Sequence, residues 1–193
     1  MMGRHMPAEY LSGLQYTPAE SPGIYQTAHH HQAGAYRIIG SYADLQRFKE
    51  SMAGALTAFR NERGDWQIHH IVEGRHFADL DFEGRLADLY TFELPCVLIH
   101  QRTEHELFSR IQSTKATDEL YREWALSGDS AERSRQAKQA AADRRTHAQL
   151  RRQIEDYKRL YSALYSNDHV LRRIALNVFN KALGTLSTAG APR

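Results

Sequence analysis

The chain has one cysteine, Cys96, in 193 residues, so an internal disulfide is excluded and a reducing compartment fits. Proline is scarce beyond the start: Pro7, Pro18 and Pro22 come early, and only Pro95 and Pro192 follow. From Cys96 to Ala191 no proline interrupts helix formation. Long hydrophobic runs are also missing. The longest, Leu94 to Ile99, has six residues against the roughly 20 that cross a bilayer, so the sequence predicts no transmembrane helix and no membrane partner. No apolar stretch with basic flanks, the mark of a secretory signal, is readable near the start. Neither sign of charge dominates: 25 Lys and Arg against 23 Asp and Glu leave +2, so bulk charge names no partner. Apolar residues make up 41%, which is enough for a packed core. Histidine is the surplus, with eleven in the chain.

Residues 1–34 mix Pro, Gly, Ser and His and read as an irregular leader. Residues 35–191 read as a single helical domain. Tyr36 to Ile39 suits a short strand ended by Gly40. Ser41 and Asp44 form a capping box, and Tyr42, Leu45, Phe48, Met52, Leu56 and Phe59 give the apolar stripe of a helix reaching about Arg63-Gly64. Trp66 to Val72 alternates as a strand, with Trp66, Ile68, His70 and Val72 on one face and Gln67, His69 and Ile71 on the other. Cys96 to Ile99 is a second strand opened by Pro95, and Thr103 with Glu106 caps a helix starting near Glu104. The spacing predicts further helices over 117–126, from Ser130 to about Tyr165, and from Val170 to Leu183. The expected fold is therefore mainly α with a small β element. It comprises a helical body around a strand–strand–helix motif at about 64–112, with a helical extension at about 117–184.

The histidines concentrate in that motif. His69-His70 closes the first strand, His100 closes the second, and His105 stands in the first turn of the helix that follows. A hairpin followed by a helix brings the end of strand one beside the helix start, so His69 and His105 can face one cation with His70 above the adjacent position. Imidazoles suit zinc and other late first-row metals better than magnesium. A neutral imidazole, with a reference pKa of about 6.5, can take a proton at physiological pH. Glu73 and His100 are candidates for an extra ligand or a supporting hydrogen bond. The triplet His29-His30-His31 reads as a solvated run, and Cys96, in an apolar strand without an activating base, reads as an inert thiol.

This stretch resembles the ββα-metal fold of the HNH endonuclease superfamily, in particular the His-His variants among bacterial DNase toxins. The resemblance implies a metal-dependent endonuclease acting on DNA rather than RNA, with one divalent cation held by His69 and His105 and with His70 as general base. It further implies an antagonistic toxin or effector, cytoplasmic in its producer and delivered into a target cell by a secretion or injection machine, with a cognate immunity protein as partner. It covers about a quarter of the chain. The position of the family's middle Asn falls at or near Cys96. Either a backbone carbonyl takes that role, or a polar residue of the 73–93 loop does, or the chain is a divergent His-His-His branch.

A second signal is electrostatic. Residues 133–152 hold Arg144, Arg145, Arg151 and Arg152 among seven basic residues against one acid, Asp143, a composition suited to a phosphate backbone. The alternative reading is a non-enzymatic helical interaction module with structural histidines and a basic helix that docks a partner.

Overall fold

The computed structural model describes residues 5–19, 21–28, 36–52, 66–77, 89–105, 108 and 147–189. Its centre is a five-stranded antiparallel sheet formed by β1 (Tyr16–Pro18), β2 (Tyr25–Ala28), β3 (Tyr36–Gly40), β4 (Trp66–His70) and β5 (Cys96–His100), in the order β1-β2-β3-β5-β4. This corrects the expectation of a mainly α fold with a small β element: the protein is a sheet with helices on both faces. Two of the strands come from the segment read as an irregular leader. They are three and four residues long, too short for a period of two to register, and they join the sheet only through the pairing of β2 with β3. The bend between them depends on Gly23, whose φ is +77° and whose added Cβ would run into the Asp44 carboxylate and the His5 ring.

On one face lies α1 (Tyr42–Ser51). Its start is capped as expected, with the Asp44 amide donating to Ser41 Oγ at 3.1 Å. The buried Asp44 carboxylate also accepts from the Ser41 hydroxyl at 2.8 Å and pairs with His5 Nδ1 at 3.0 Å. Leu45 packs against Ile24, Cys96 and Leu98, with Phe48, Trp66 and Ile68 around them. The helix was expected to continue to Arg63-Gly64; residues 53–65 lie outside the described residues, as do the expected helix over 117–126 and the 130–146 part of the helix expected from Ser130 to about Tyr165.

The other face carries the larger core, under α2 (His147–Leu164) and α3 (His169–Ala189). Ile39, Val97 and Ile99 meet Ile154, Tyr157, Tyr161, Leu171, Ile174 and Phe179. The three- and four-residue spacing of the α2 apolar residues puts them on one stripe, and that stripe is the buried one. Among the described residues no helix is long and apolar enough to cross a membrane.

The start of the chain is part of this core. A 3-10 turn over Ala8–Leu11 buries Tyr10 and Leu11, and Met6 is 2% exposed. Asn177 of α3 donates to the carbonyls of Tyr10 and Ser12 at 3.0 and 2.9 Å, which satisfies backbone groups that form no helix or sheet ladder. Each fully buried apolar side chain contributes about 1.5–3 kcal/mol, whereas whole proteins of this size are stable by only about 5–15 kcal/mol. Leu11→Ala is therefore expected to lower unfolding stability by about 2–5 kcal/mol in urea. Deletion of residues 1–34 is expected to abolish the cooperative transition altogether. A deletion variant that kept its parent's midpoint would contradict this placement of the leader.

Candidate functional site

The β4–β5 pairing decides which histidines can act together. Its register sets His69 opposite Val97 and His70 opposite Cys96. Val97 belongs to the core under α2 and α3, and Cys96 to the core under α1. Side chains alternate across a strand, so the two adjacent histidines leave the sheet on opposite faces. The ring contacts agree. His70 stacks on Tyr42 of α1, with centroids 5.7 Å apart and planes within 8°. His69 stacks on Phe108 at 5.6 Å, and Phe108 meets the Tyr165 ring edge-on at 5.5 Å.

The structure brings His69 and His105 together. Their ring centroids are 5.5 Å apart and their planes nearly perpendicular, at 89°. His105 ends a single wide turn of π type, Gln101–His105, directly after β5. The sequence predicts a capped helix starting near Glu104; the structure has this turn there, and Phe108 beyond it is helical. Such wide turns are rare and concentrate at functional positions. Two imidazoles sharing one tetrahedral cation, with metal–nitrogen bonds of about 2.0–2.1 Å, have centroids roughly 5 Å apart. The observed separation is of that size.

Burial holds His69 neutral. Desolvation first, then the neighbouring His105 and His70, lower its pKa from the ordinary 6.5 to about 3. A ligand imidazole must be unprotonated to bind a metal, and His69 meets that requirement at any physiological pH. Among the described residues no group of three or more His, Cys, Asp or Glu side chains is placed to hold a metal ion. The donor set in view is thus two imidazoles, fewer than the three or four protein ligands usual for zinc.

The remaining candidates are dispersed. His100 is buried on the α1 side of the sheet, edge-on to Trp66 at 5.7 Å. Among the described residues neither of its ring nitrogens has a hydrogen-bond partner. Glu73 is half-buried, and its amide donates to the Tyr161 hydroxyl at 3.3 Å. Its carboxylate is one of the charges that help burial to raise the Tyr165 pKa. Buried His76 lies against Tyr157 at 4.1 Å, with Nε2 2.9 Å from the Tyr161 hydroxyl. Cys96 is fully buried, and desolvation pushes its thiol pKa up, as expected of an inert side chain. Arg151 and Arg152 are exposed on α2, while Arg144 and Arg145 lie outside the described residues.

Sequence reasoning passed over Arg37, Glu104 and Asp168. Arg37 is buried on β3 and its guanidinium pairs with both carboxylates. The available signal was alternation, because Arg37 shares the face of Ile39, which faces the core under α2 and α3.

The His69 shift has a consequence for acid stability. Between about pH 3 and 6.5 the unfolded chain takes up a proton at His69 that the folded chain refuses, so stability rises with pH across that window and is lost as pH falls. In metal-free protein, His69→Gln is expected to flatten this slope by up to one proton per molecule. Denaturant titrations at several pH values through the window measure it. An unchanged slope would mean that His69 titrates normally in the fold.

No protein-family model, no curated protein and no solved structure matches the chain, so the reading of the site rests on its own residues.

Proposed function

We propose that the chain is a metal-dependent endonuclease of HNH type, a hydrolase that cuts phosphodiester bonds in DNA in preference to RNA. The observation that carries this reading is the His69–His105 pair, in which the end of a strand meets the turn after its hairpin partner, with one imidazole held neutral. Zinc or another late first-row cation suits two imidazole donors, and ligands beyond these two would come from water, substrate oxygens or residues outside those described. Such a cation supplies charge stabilisation on the phosphate and at the departing oxygen.

The chain's own residues do the rest. His69 and His105 bind the cation. Phe108 stacks on the His69 ring and is itself backed by Tyr165, an arrangement that orients the imidazole. The assignment of His70 as general base comes from the resemblance alone, since its ring lies on Tyr42 on the other face of the sheet. Arg151 and Arg152, exposed on α2, offer contacts to nucleic-acid phosphates without sequence choice, and Arg144 and Arg145 precede them in the same basic stretch of sequence. The family resemblance extends the proposal to an antagonistic toxin or effector delivered into a target cell and held in check in its producer by an immunity protein.

A second reading keeps one specific observation. His70, His76 and His100 are each packed against an aromatic ring in a buried setting, as structural histidines are. In that reading the chain is a non-enzymatic interaction module.

Plasmid nicking separates the two. The full chain with a divalent cation is expected to nick supercoiled DNA, and a chelator to stop it. His69→Ala and His105→Ala are expected to lose metal affinity and cleavage together. His70→Ala, if the base, is expected to lose about 10²–10⁴ in rate with metal affinity kept. Full activity of His70→Ala would move the base elsewhere while leaving the enzyme class intact. No cleavage by the parent with zinc, nickel, manganese or magnesium would favour the interaction module.

A further inference from the structure

His69 and His105 are held by different means. His69 sits in β4, whose ladder to β5 and packing under α2 and α3 fix its backbone. His105 sits on a turn, and the structure supplies a separate anchor for that turn. The Arg37 side chain is only 6% exposed. Its Nη1 pairs with Glu104 Oε1, and its Nη2 pairs with Asp168 Oδ2 at 2.5 Å. Each carboxylate uses its second oxygen on a backbone amide. Glu104 Oε2 accepts from the His100 amide at 3.4 Å, and Asp168 Oδ1 accepts from the Leu171 amide at 3.0 Å, at the start of α3. One planar guanidinium thus ties the end of β5 and the residue before His105 to the corner between α2 and α3.

We propose that Arg37 is a positioning residue for the candidate cation site: through Glu104, and braced by Asp168, it fixes the turn 101–105 so that the His105 ring stands over His69. The inference rests on reading those two histidines as the cation-binding pair. Two physical points support it. The Glu104 and Asp168 carboxylates are half-buried beside the buried guanidinium, so without Arg37 they repel each other and the turn swings outward, carrying His105 with it. The fork geometry matters as well, because a guanidinium serves two carboxylates at fixed angles and an ammonium does not. The sheet, and His69 with it, does not depend on this clamp. Arg37 acts through Glu104, the residue before His105.

The test uses the full chain without metal, with the histidine rings isotope-labelled. Perpendicular rings with centroids 5.5 Å apart bring ring protons close enough for a nuclear Overhauser effect between His69 and His105. Arg37→Gln and Glu104→Gln are expected to abolish that signal while the His70–Tyr42 signal, from the opposite face, persists. Arg37→Lys is expected to restore it only in part. Zinc affinity, measured by calorimetry, is expected to fall about 10–100-fold in both Gln variants, the range for groups that orient a ligand from behind. If Arg37→Gln fails to fold, Glu104→Gln, which retains an acceptor for the His100 amide and the Arg37–Asp168 pair, decides alone. A retained His69–His105 signal in folded Glu104→Gln overturns the proposal. A parent that binds no zinc overturns the cation-site reading instead, and the ring signal still decides whether Arg37 positions His105.

Discussion

All five residues of β5 are buried, because helices cover both faces of the sheet and strands flank β5 on both edges. Val97 and Ile99 face α2 and α3, while Cys96 and Leu98 face α1. This double burial fixes the register, since a slip by one residue would exchange the two faces and set His100 where Ile99 packs. The candidate site inherits that constraint. Opposite Val97, His69 turns to the α2–α3 side, and the turn leaving β5 at His100 carries His105 to the same side. The pairing of one buried strand thus sets which face of the sheet the site occupies.

Electrostatics adds a second layer. The α2–α3 core holds an imidazole that burial keeps neutral and a guanidinium paired with two carboxylates. Both are costly to bury unless their surroundings compensate. For Arg37 the two Nη atoms are paired with carboxylates, while Nε has no hydrogen-bond partner among the described residues, and the pairing ties together segments distant in sequence. For His69 the compensation is neutrality itself, the state in which an imidazole can bind a cation.

Much of this was legible beforehand, and the parts that were not have physical reasons. The capping of α1 by Ser41, the β3, β4 and β5 segments and the apolar stripes of α2 and α3 all follow from spacing and turn chemistry. The strands of the leader do not, because β1 and β2 are stabilised by partners and by the packing of Met6, Leu11 and Ile24 rather than by any local pattern. The division of His69 from His70 is implicit in the alternation of Trp66 to Val72, whereas their adjacency as a motif suggests one shared site. The pleat decides in favour of alternation. Arg37 was silent because a charged residue in a short strand ordinarily faces water, and only its partners at Glu104 and Asp168 explain why it does not.

The central claim is that His69 and His105 bind one cation between them, and cobalt(II) tests it most directly because its visible absorption reports the ligands around it. Titration of the metal-free full chain should produce a band that saturates at one equivalent. The band should vanish in both His69→Ala and His105→Ala and survive in His100→Ala. A parent without a saturable band, or a band that both single variants leave unchanged, would contradict the account.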